Sequence, residues 1–418
     1  MEHPKGIFIP SKIKEKRTAL HAMTVTSVIK RILATVYLLG KTDYTGWTLK
    51  PSNRVVWIRF WGLGLLHDEE LIYAFAQINA LSKSGVRFRV SLTNNLGKFL
   101  DKTIFFTFSR YKDPFNFINY SKTLYHIASQ LEEQHCRVFP RKEDILFWEN
   151  KGHMTRKFIE LGISRPRTIL MTDPGQAETI DLPFPLLVKE EHSASSFGVH
   201  KINTRDELRE FLATSGYFPR NSTLIVQELL NIRRDLRVIL VGDRIVHYYW
   251  RINLGKEWMP TSTSREGSKV DFGNFPEHWR DFIIGEFRKL DLLAGAFDIV
   301  WQNDDLSTQP MILEVSPNFQ PNPTVDPDKL GMPYGVYKRK LMLRNLYEYR
   351  FIDIVFRITG ELIDHYLKKE NLMVLRPSGD LAIGPGADQG KIPEEQVVHD
   401  KLGKLTDVDP EPAIFPEP

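Results

Sequence analysis

Only one cysteine, Cys136, occurs among the 418 residues of the sequence. A single thiol excludes an internal disulfide framework and a cysteine-based zinc site, and it is typical of a reducing compartment. Long apolar runs are also missing, because no stretch approaches the roughly 18 apolar residues that a membrane-spanning helix needs. The charges are nearly balanced, since the sequence has 56 Lys and Arg against 52 Asp and Glu, for a net charge of +4. So small an excess does not indicate a nucleic-acid partner, and we expect a cytoplasmic protein without a membrane span.

The rest of the composition is that of an ordinary globular protein, with 42% hydrophobic and 26% charged residues. The length allows two or three domains. Residues 1–52 are expected to be an N-terminal extension, in which basic residues beside an apolar run predict an amphipathic helix over residues 24–40. We expect this helix to pack on the body of the protein, the alternative being a helix that lies on a membrane surface.

Residues 53–149 alternate between strand-like and helix-like segments, which predicts an α/β N-terminal domain of βαβ type with a parallel sheet. The stretch "WGLGLL" at residues 61–66 contains part of a phosphate-loop pattern. Because the third glycine of that pattern is missing, the stretch favours a plain turn.

Strands outnumber helices over residues 150–328 and come in hairpins, so this region is predicted to be α+β. One hairpin, "DLRVILVGDRIVHYYWRIN", is expected to turn at Gly242 and Asp243. Residues 329–376 are predicted to form C-terminal helices. Residues 377–418 are rich in Pro, Gly and acids, which predicts a disordered tail.

Two acids stand in strand-like apolar runs within "GAFDIVWQNDDLSTQPMILEVSPN". Folding this stretch as a hairpin about its polar middle places Asp298 opposite Glu314, with Ile312 on the same face as the acids and Leu313 in the core. Like charges opposed in a sheet require a cation or a shared proton, and carboxylate oxygens suit Mg²⁺. The alternative is a solvent-facing pair that register and water keep apart.

Two lysines are candidate anion ligands. Lys189 ends the apolar strand "PLLVK" before the small-residue loop "HSASSFG", an arrangement that suits a phosphate, although strand-end lysines also extend into water. Lys151 stands at the start of a predicted helix, where a positive charge opposes the helix dipole and an external anion would relieve the conflict.

Two arginines, Arg237 and Arg251, lie on the two strands of the hairpin that turns at residues 242–243. They are not directly opposed, yet both can lean over one face, where guanidinium groups suit charge that develops on phosphoryl oxygens. The alternative is a pair of solvated arginines, one of them paired with Asp235.

The order of these features resembles the ATP-grasp family. The helix-start lysine, the strand lysine with its loop, "VQELL", "RDLRV", "GDRIV", "GAFDIV" and "ILEVSPN" follow one another as in RimK-like glutamate ligases, glutathione synthetases and D-alanine:D-alanine ligases. The resemblance covers roughly residues 53–322.

The resemblance implies a role for each matching residue. The residues expected to contact ATP phosphates or adenine are Lys151, Lys189, Ser195, Ser196, Gly198, Gln227, Glu228, Leu229 and Leu230. The catalytic residues expected to steady the transferred phosphate are Arg237 and Arg251. The ligands expected for Mg²⁺, with Mn²⁺ as the other candidate, are Asp298, Glu314, Ser316 and Asn318. Ser316 departs from the family, which usually has asparagine two residues after the second acid.

The resemblance also implies a reaction. A carboxylate attacks the γ-phosphate of ATP to give an acyl phosphate, which an amine or thiol then captures. The implied partners are a small-molecule or peptide carboxylate and an amine acceptor, and a homo-oligomer is a further candidate. The acceptor is expected at the N-terminal domain and at the loop of residues 253–274, which carries Trp258, Arg265 and Lys269. The alternative for this stretch is a plain exposed loop. The alternatives are a small-molecule kinase and a non-catalytic ATP-binding protein.

Overall fold

The fold was analysed in a computed structural model. The structure describes residues 25–58, 69–93, 95–108, 120–193, 198–218, 222–255, 268–324, 334, 336 and 346–372, with only the backbone at residues 25–31, 69–70 and 346–348. All of these residues belong to one compact unit, Met1–Val374. The "WGLGLL" stretch and the predicted tail over residues 377–418 lie outside the described residues.

The described α-helices are numbered here in chain order. They are α1 Val25–Lys41, α2 Glu69–Lys83, α3 Tyr120–Glu133, α4 Lys142–Ile145, α5 Lys151–Glu160, α6 Arg205–Thr214, α7 Arg280–Lys289 and α8 Leu346–Lys369. Helix α6 begins after Thr204, whose side chain caps the helix by accepting a hydrogen bond from the Glu207 amide. None of the described helices is both long and apolar enough to cross a membrane.

Four parallel strands form the N-terminal sheet in the order β2-β1-β3-β4. Their bounds are β1 Arg54–Trp57, β2 Arg89–Ser91, β3 Thr103–Phe105 and β4 Arg137–Phe139. The strands β1 and β3 are almost fully buried, because helices pack on both faces of the sheet. The predicted α/β character of this region is confirmed.

A second sheet of four strands is antiparallel and has the order β5-β8-β6-β7. Its strands are β5 Thr168–Met171, β6 Leu186–Glu190, β7 Val199–Ile202 and β8 Leu224–Glu228. Alternate residues such as Leu186, Val188 and Val226 point into a core that Leu208 of α6 covers. This pattern leaves the opposite face, which includes Lys189, toward the rest of the molecule.

The third sheet has five strands in the order β11-β10-β9-β12-β13, all antiparallel. They are β9 Arg234–Val241, β10 Arg244–Asn253, β11 Ser268–Asp271, β12 Ala294–Val300 and β13 Met311–Ser316. The β9–β10 hairpin turns at Gly242 and Asp243 as predicted, and Gly242 has φ +52°. A Cβ atom there would lie 2.5 Å from the His365 ring of α8, so both the backbone and the packing favour glycine. The predicted α+β character is confirmed.

The predicted hairpin around Asp298 and Glu314 is present, and the two acids are direct partners in its register. The predicted faces hold on the Ser316 side of this pair and are wrong on the loop side, at Ile312 and Leu313. A β-bulge shifts the register between Asp298 and Ile299, so Ile299 pairs with Ile312 and leaves Leu313 as the extra residue. Ile312 is therefore in the core rather than beside the acids, and Leu313 is half-buried.

Two helices from outside the central region complete the core. Helix α8 buries Ile352, Val355 and Phe356 in a cluster that also contains Leu38 of α1 and Ala76 of α2. The helix predicted over residues 24–40 is present as α1 and packs on the body. A hydrogen bond of 2.7 Å from the Tyr37 hydroxyl to Asp353 joins α1 to α8.

Candidate functional site

The candidate site lies where β9, β10, β12 and β13 of the five-stranded sheet meet β6 and the start of α5. Its centre is Asp298, which is 6% exposed. Because Arg237 of β9 is the register partner of Asp298 in β12, the guanidinium meets the carboxylate side by side. Its Nε donates to Oδ1 at 2.7 Å and its Nη2 to Oδ2 at 2.9 Å, a bidentate pair of fixed geometry.

Arg251 reaches the same carboxylate from β10, with Nη2 2.7 Å from Asp298 Oδ2. Its Nε also donates to Asp235 Oδ1 at 2.8 Å. Asp235 and Arg251 are 1% and 8% exposed, so the alternative of two solvated arginines is wrong, although its pairing of one arginine with Asp235 is correct. The two arginines lean over one face of the sheet as predicted.

These ion pairs determine the charge states at the centre of the site. Burial acts to raise the pKa of Asp298, but Arg237 and Arg251 outweigh it and hold that pKa well below its usual range. Burial acts to lower the pKa of each guanidinium, and Asp298 reverses this effect on Arg237, as Asp235 and Asp298 do on Arg251. Asp298, Arg237 and Arg251 are therefore ionised at neutral pH.

Glu314, the strand partner of Asp298, has a 32% exposed side chain. Its Oε1 lies 3.7 Å from the Nζ of Lys151. The two acids are therefore balanced by side-chain cations in this structure, with the arginines on Asp298 and the lysine near Glu314. Burial of Asp298 contradicts the alternative of a solvent-facing pair.

Lys151 is the first residue of α5 and is 6% exposed. Its amide donates to the Glu191 carbonyl at 2.8 Å, and its Nζ donates to the Ser193 carbonyl. The next residue, Gly152, packs so closely that an added Cβ would lie 2.3 Å from Glu191 Oε1. These contacts fix the start of α5 on the segment that follows β6.

Helix α5 is also joined to the strand that carries Glu314. The Val315 amide donates to the Met154 sulfur at 3.3 Å, and both residues are buried in the same core cluster. The position of Lys151 relative to Glu314 is therefore set by packing one turn farther along the helix.

Lys189 of β6 faces the same acids. Its side chain is partly accessible, but enough protein surrounds its amino group that burial lowers the pKa to about 8. Glu314 and Asp298 act to raise that pKa, and Lys151 acts to lower it. The two predicted phosphate-binding lysines are thus close enough to influence each other electrostatically.

The loop that follows Lys189 is closed at its base. The Glu190 amide donates to the Gly198 carbonyl at 2.8 Å, and Gly198 has φ +70°. An added Cβ at Gly198 would lie 2.9 Å from Ser193, so this corner requires glycine. Ser195 and Ser196, the predicted phosphate-loop hydroxyls, lie outside the described residues.

The predicted adenine-binding segment ends β8. Gln227 Nε2 donates to Thr168 Oγ1 at 2.9 Å, and Glu228 Oε1 accepts from the Arg167 amide at 2.7 Å. Both polar side chains are used to hold β5 against β8. Recognition of adenine would therefore fall to the backbone at Leu229 and Leu230, where the Leu230 carbonyl already accepts from the Ile232 amide at 3.1 Å.

The two remaining candidate metal ligands separate after the end of β13. Ser316 pairs with Ala296, two residues along from the Asp298–Glu314 pair, and so lies on the same face as Glu314. Asn318 follows the Pro317 bend and lines a cavity. Ser316 is the better placed of the two to extend a set of oxygen ligands.

The oxygen-rich chemistry of Asp298, Glu314 and Ser316 fits a hard divalent cation. The partly exposed Glu314 carboxylate leaves room for such an ion, whereas Asp298 must share its oxygens with two arginines. In the part of the chain that is described, no group of three His, Cys, Asp or Glu side chains is placed to hold a metal. A cation here would need water or ATP oxygens to complete its coordination.

Two contributors to this site, Glu191 and Tyr249, were not predicted in these roles. Glu191 fixes the start of α5, and the only sequence signal for it is the glycine at position 152. Tyr249, which accepts a hydrogen bond of 2.9 Å from Asn322, lies beside the arginines. No sequence motif indicates this position.

Comparison with known proteins relates the region that contains this site to ATP-grasp proteins. Residues 149–322 match the family model of the RimK-like ATP-grasp domain. A stretch of 98 residues is 30% identical to a D-alanine–D-alanine ligase of Hydrogenovibrio crunogenus, a match that covers 23% of this chain and 28% of that ligase.

Solved structures with a similar course of the chain include two ATP-grasp proteins. The D-alanine–D-alanine ligase of Bacillus anthracis is 14% identical with a TM-score of 0.45, and the match covers 75% of this chain and 99% of that one. An ATP-grasp RimK domain protein of Sphaerobacter thermophilus is 12% identical with a TM-score of 0.45, and the match covers 75% of this chain and 98% of that one.

Proposed function

Because residues 149–322 belong to the RimK-like ATP-grasp family, we propose that this protein is a ligase that uses ATP to join a carboxylate to an amine. The observation that carries the proposal is the cluster of cations around Asp298 and Glu314. Lys151, Arg237 and Arg251 contact these two acids, and Lys189 responds electrostatically to both.

Phosphoryl transfer depends mainly on positioning and on neutralising charge, which this cluster is suited to do. We assign Lys151 and Lys189 to the phosphates of ATP, because both stand beside the loop whose base is closed at Gly198. Arg237 and Arg251 would stabilise the negative charge of the transferred phosphoryl group. Their buried partners, Asp235 and Asp298, keep both guanidinium groups in fixed orientations.

Asp298, Glu314 and Ser316 would hold Mg²⁺, or Mn²⁺ in its place, which when bound supplies charge neutralisation and orientation of the phosphates. Arg237 and Arg251, which lie against Asp298, would bind phosphate oxygens of the nucleotide.

The proposed reaction has two steps. An oxygen of the substrate carboxylate attacks the γ-phosphorus of ATP, the bond from that phosphorus to the β,γ-bridging oxygen breaks, and ADP leaves. The amine nitrogen then attacks the acyl carbon, phosphate leaves with the electrons of the C–O bond, and the nitrogen loses a proton. Small molecules and peptides both fit this scheme as substrates, and no side chain need form a covalent bond.

The test is a screen for ADP release with pairs of carboxylates and amines, with free phosphate measured in parallel. We expect ADP and phosphate in equal amounts only when both substrates are present, and an acyl hydroxamate when hydroxylamine replaces the amine. ADP without free phosphate would instead indicate a kinase. ATP binding without turnover under any acceptor pair would indicate a non-catalytic ATP-binding protein, and either result would overturn the ligase proposal.

A further inference from the structure

A cavity lies just beyond the proposed metal ligands. It is a cavity of ≈ 60 Å³ that opens to the surface, which leaves room for a few water molecules or a small apolar group. Its walls come from three parts of the chain: the N-terminal domain, through helix α2 and the ends of β3 and β4, then the segment 317–321 after β13, and helix α8. Two of these parts lie outside the matched ATP-grasp domain.

Gln77 of α2 lines this cavity and is only 4% exposed. Its Nε2 donates to the Phe106 carbonyl at 2.9 Å. This bond fixes the orientation of the amide, because the flipped amide would set two oxygens against each other. In the part of the chain that the structure describes, Gln77 Oε1 is buried without a hydrogen-bond partner.

A buried amide oxygen without a donor destabilises a fold, so such an atom in a cavity wall indicates a ligand that donates a hydrogen bond. The oxygen of a primary amide is a neutral acceptor, which orients an N–H group but does not remove its proton. Gln77 is therefore suited to binding and not to acid–base chemistry.

Most of the remaining wall is apolar. Aromatic rings of Phe139 and Phe319 face the cavity, as do Ile358 and Leu362 of α8. Charged side chains do not line it. The ligand that fits these walls has an apolar body and an N–H group, as an amine with an aromatic or branched aliphatic substituent does.

The cavity is continuous with the strand that carries Glu314. Pro317 and Asn318 line it, and they follow Ser316 directly. At about 3.3 Å per residue, Ser316 is roughly 7 Å from Glu314 along β13. The Tyr73 hydroxyl donates to the Phe319 carbonyl at 2.7 Å, which holds this segment against α2.

We propose that this cavity binds the apolar part of the amine acceptor and that Gln77 Oε1 accepts a hydrogen bond from an N–H group of that acceptor. The inference rests on the proposed ligase function, and it adds a substrate class: amines with an apolar substituent. The selectivity comes from α2 and α8, which flank the ATP-grasp domain.

The test measures binding separately from turnover. Leucine amide and phenylalanine amide are titrated into the full chain by calorimetry, in the presence of Mg²⁺ and a non-hydrolysable ATP analogue, and compared with glycine amide and serine amide. We expect the apolar amides to bind at least tenfold more tightly. Equal affinity for all four, or no binding by any of them, would overturn the inference.

Two variants locate the binding. Gln77→Met keeps the length of the side chain but removes the amide oxygen, and Leu362→Phe fills the cavity from α8 without altering Gln77. Both should weaken binding of the apolar amides at least tenfold, with the melting temperature measured to show that each variant is folded. Ile363→Val changes a buried residue of α8 that does not line the cavity, and it should leave the affinity unchanged.

Unchanged affinity in both variants would place the amides elsewhere and overturn the inference. The other outcome is that the apolar amides bind selectively, the variants abolish this binding, and no carboxylate leads to ADP formation from ATP. That outcome would support the cavity as a binding site and overturn the ligase proposal. The two failures are therefore distinguishable.

Discussion

Asp298 and Arg237 are direct partners across β12 and β9, and two hydrogen bonds of 2.7 and 2.9 Å join them where water is largely excluded. A second arginine, Arg251, shares the same carboxylate. The acid that the proposed reaction needs as a metal ligand is thus also the counter-ion of the arginines. Its replacement should affect both stability and activity.

Asp298→Asn keeps the shape of the side chain but removes the charge that offsets two guanidinium groups. We expect the free energy of unfolding to fall by about 3 kcal/mol, since breaking a buried ion pair leaves charge uncompensated. ATP turnover should fall below detection. Urea unfolding and ADP release measure the two effects.

The matched control for this variant is Asp305→Asn in the loop of the same hairpin. Among the described residues, the exposed Asp305 side chain accepts hydrogen bonds only from Ser307, so this variant should behave like the parent protein. Stability of Asp298→Asn equal to that of the control would contradict the buried charge network.

Glu314→Gln should weaken Mg²⁺ binding while it leaves the stability of the fold nearly unchanged. Glu314 is partly exposed and its nearest cation is 3.7 Å away, so the neutral amide should change the free energy of unfolding by less than about 1 kcal/mol. The Mg²⁺ concentration at half-maximal ADP release should rise at least tenfold. An unchanged Mg²⁺ midpoint would remove Glu314 from the proposed ligand set.

ATP affinity should depend on pH through Lys189. Burial lowers its pKa to about 8 from the ordinary value of 10.5, so the ammonium that attracts phosphate is lost as the pH rises above about 8. We expect the dissociation constant of ATP to increase between pH 7.5 and pH 9.5, measured by calorimetry. The same titration of Lys189→Arg, which stays charged, should be flatter.

The free energy of unfolding should increase with pH over the range in which ATP affinity falls, and for the same reason, the lowered pKa of Lys189. Below about pH 8 the folded protein must bury the charged form, and this penalty is relieved as the pH rises from the folded pKa of about 8 toward 10.5. Lys189→Met should therefore be more stable than the parent at pH 7, by about 1 kcal/mol, while it binds ATP weakly. A Met variant that is less stable at pH 7 would contradict the burial penalty.

Gly152→Ala should be destabilising although it lies in a helix, where alanine is normally favoured. Its Cβ would lie 2.3 Å from the Glu191 carboxylate, so either the buried Glu191 side chain or the start of α5, which carries Lys151, must move. We expect a loss of about 2 kcal/mol and a higher KM for ATP. Thermal unfolding and steady-state kinetics measure these effects.

Gly285→Ala in α7 is the control for the helical effect, because a Cβ there meets nothing within 4 Å. It should stabilise the protein by about 1 kcal/mol. If both alanine variants changed the stability in the same direction, the close approach of Gly152 to Glu191 would not determine the effect of Gly152→Ala.

Local rules predicted much of this site. The hairpin turn at Gly242 and the pairing of Asp298 with Glu314 follow from turn chemistry and from the count of residues between two strands. The bulge at Leu313 does not, because nothing in the alternation of apolar residues marks an inserted residue. The prediction for Ile312 was wrong for that reason.

Contacts between residues far apart in the chain could not be predicted from the sequence. Amphipathic spacing predicts that α8 has an apolar face, but it does not identify α2 and β9 as its partners. Gln77 resembles a surface position in the helical pattern, and only the arrival of α8 and β3 buries it. Likewise Lys151 and Lys189 could be assigned to one anion only through the family resemblance.

The folding unit extends beyond the residues that match the family model, and helix α8 shows why. Ile358 of α8 packs on Ile239, Val241 and Ala296 of the five-stranded sheet, all within residues 149–322. A fragment restricted to those residues would expose this strip of β-branched and small apolar side chains to water. Such a fragment should aggregate or require detergent, whereas a chain that continues through residue 372 retains its own cover.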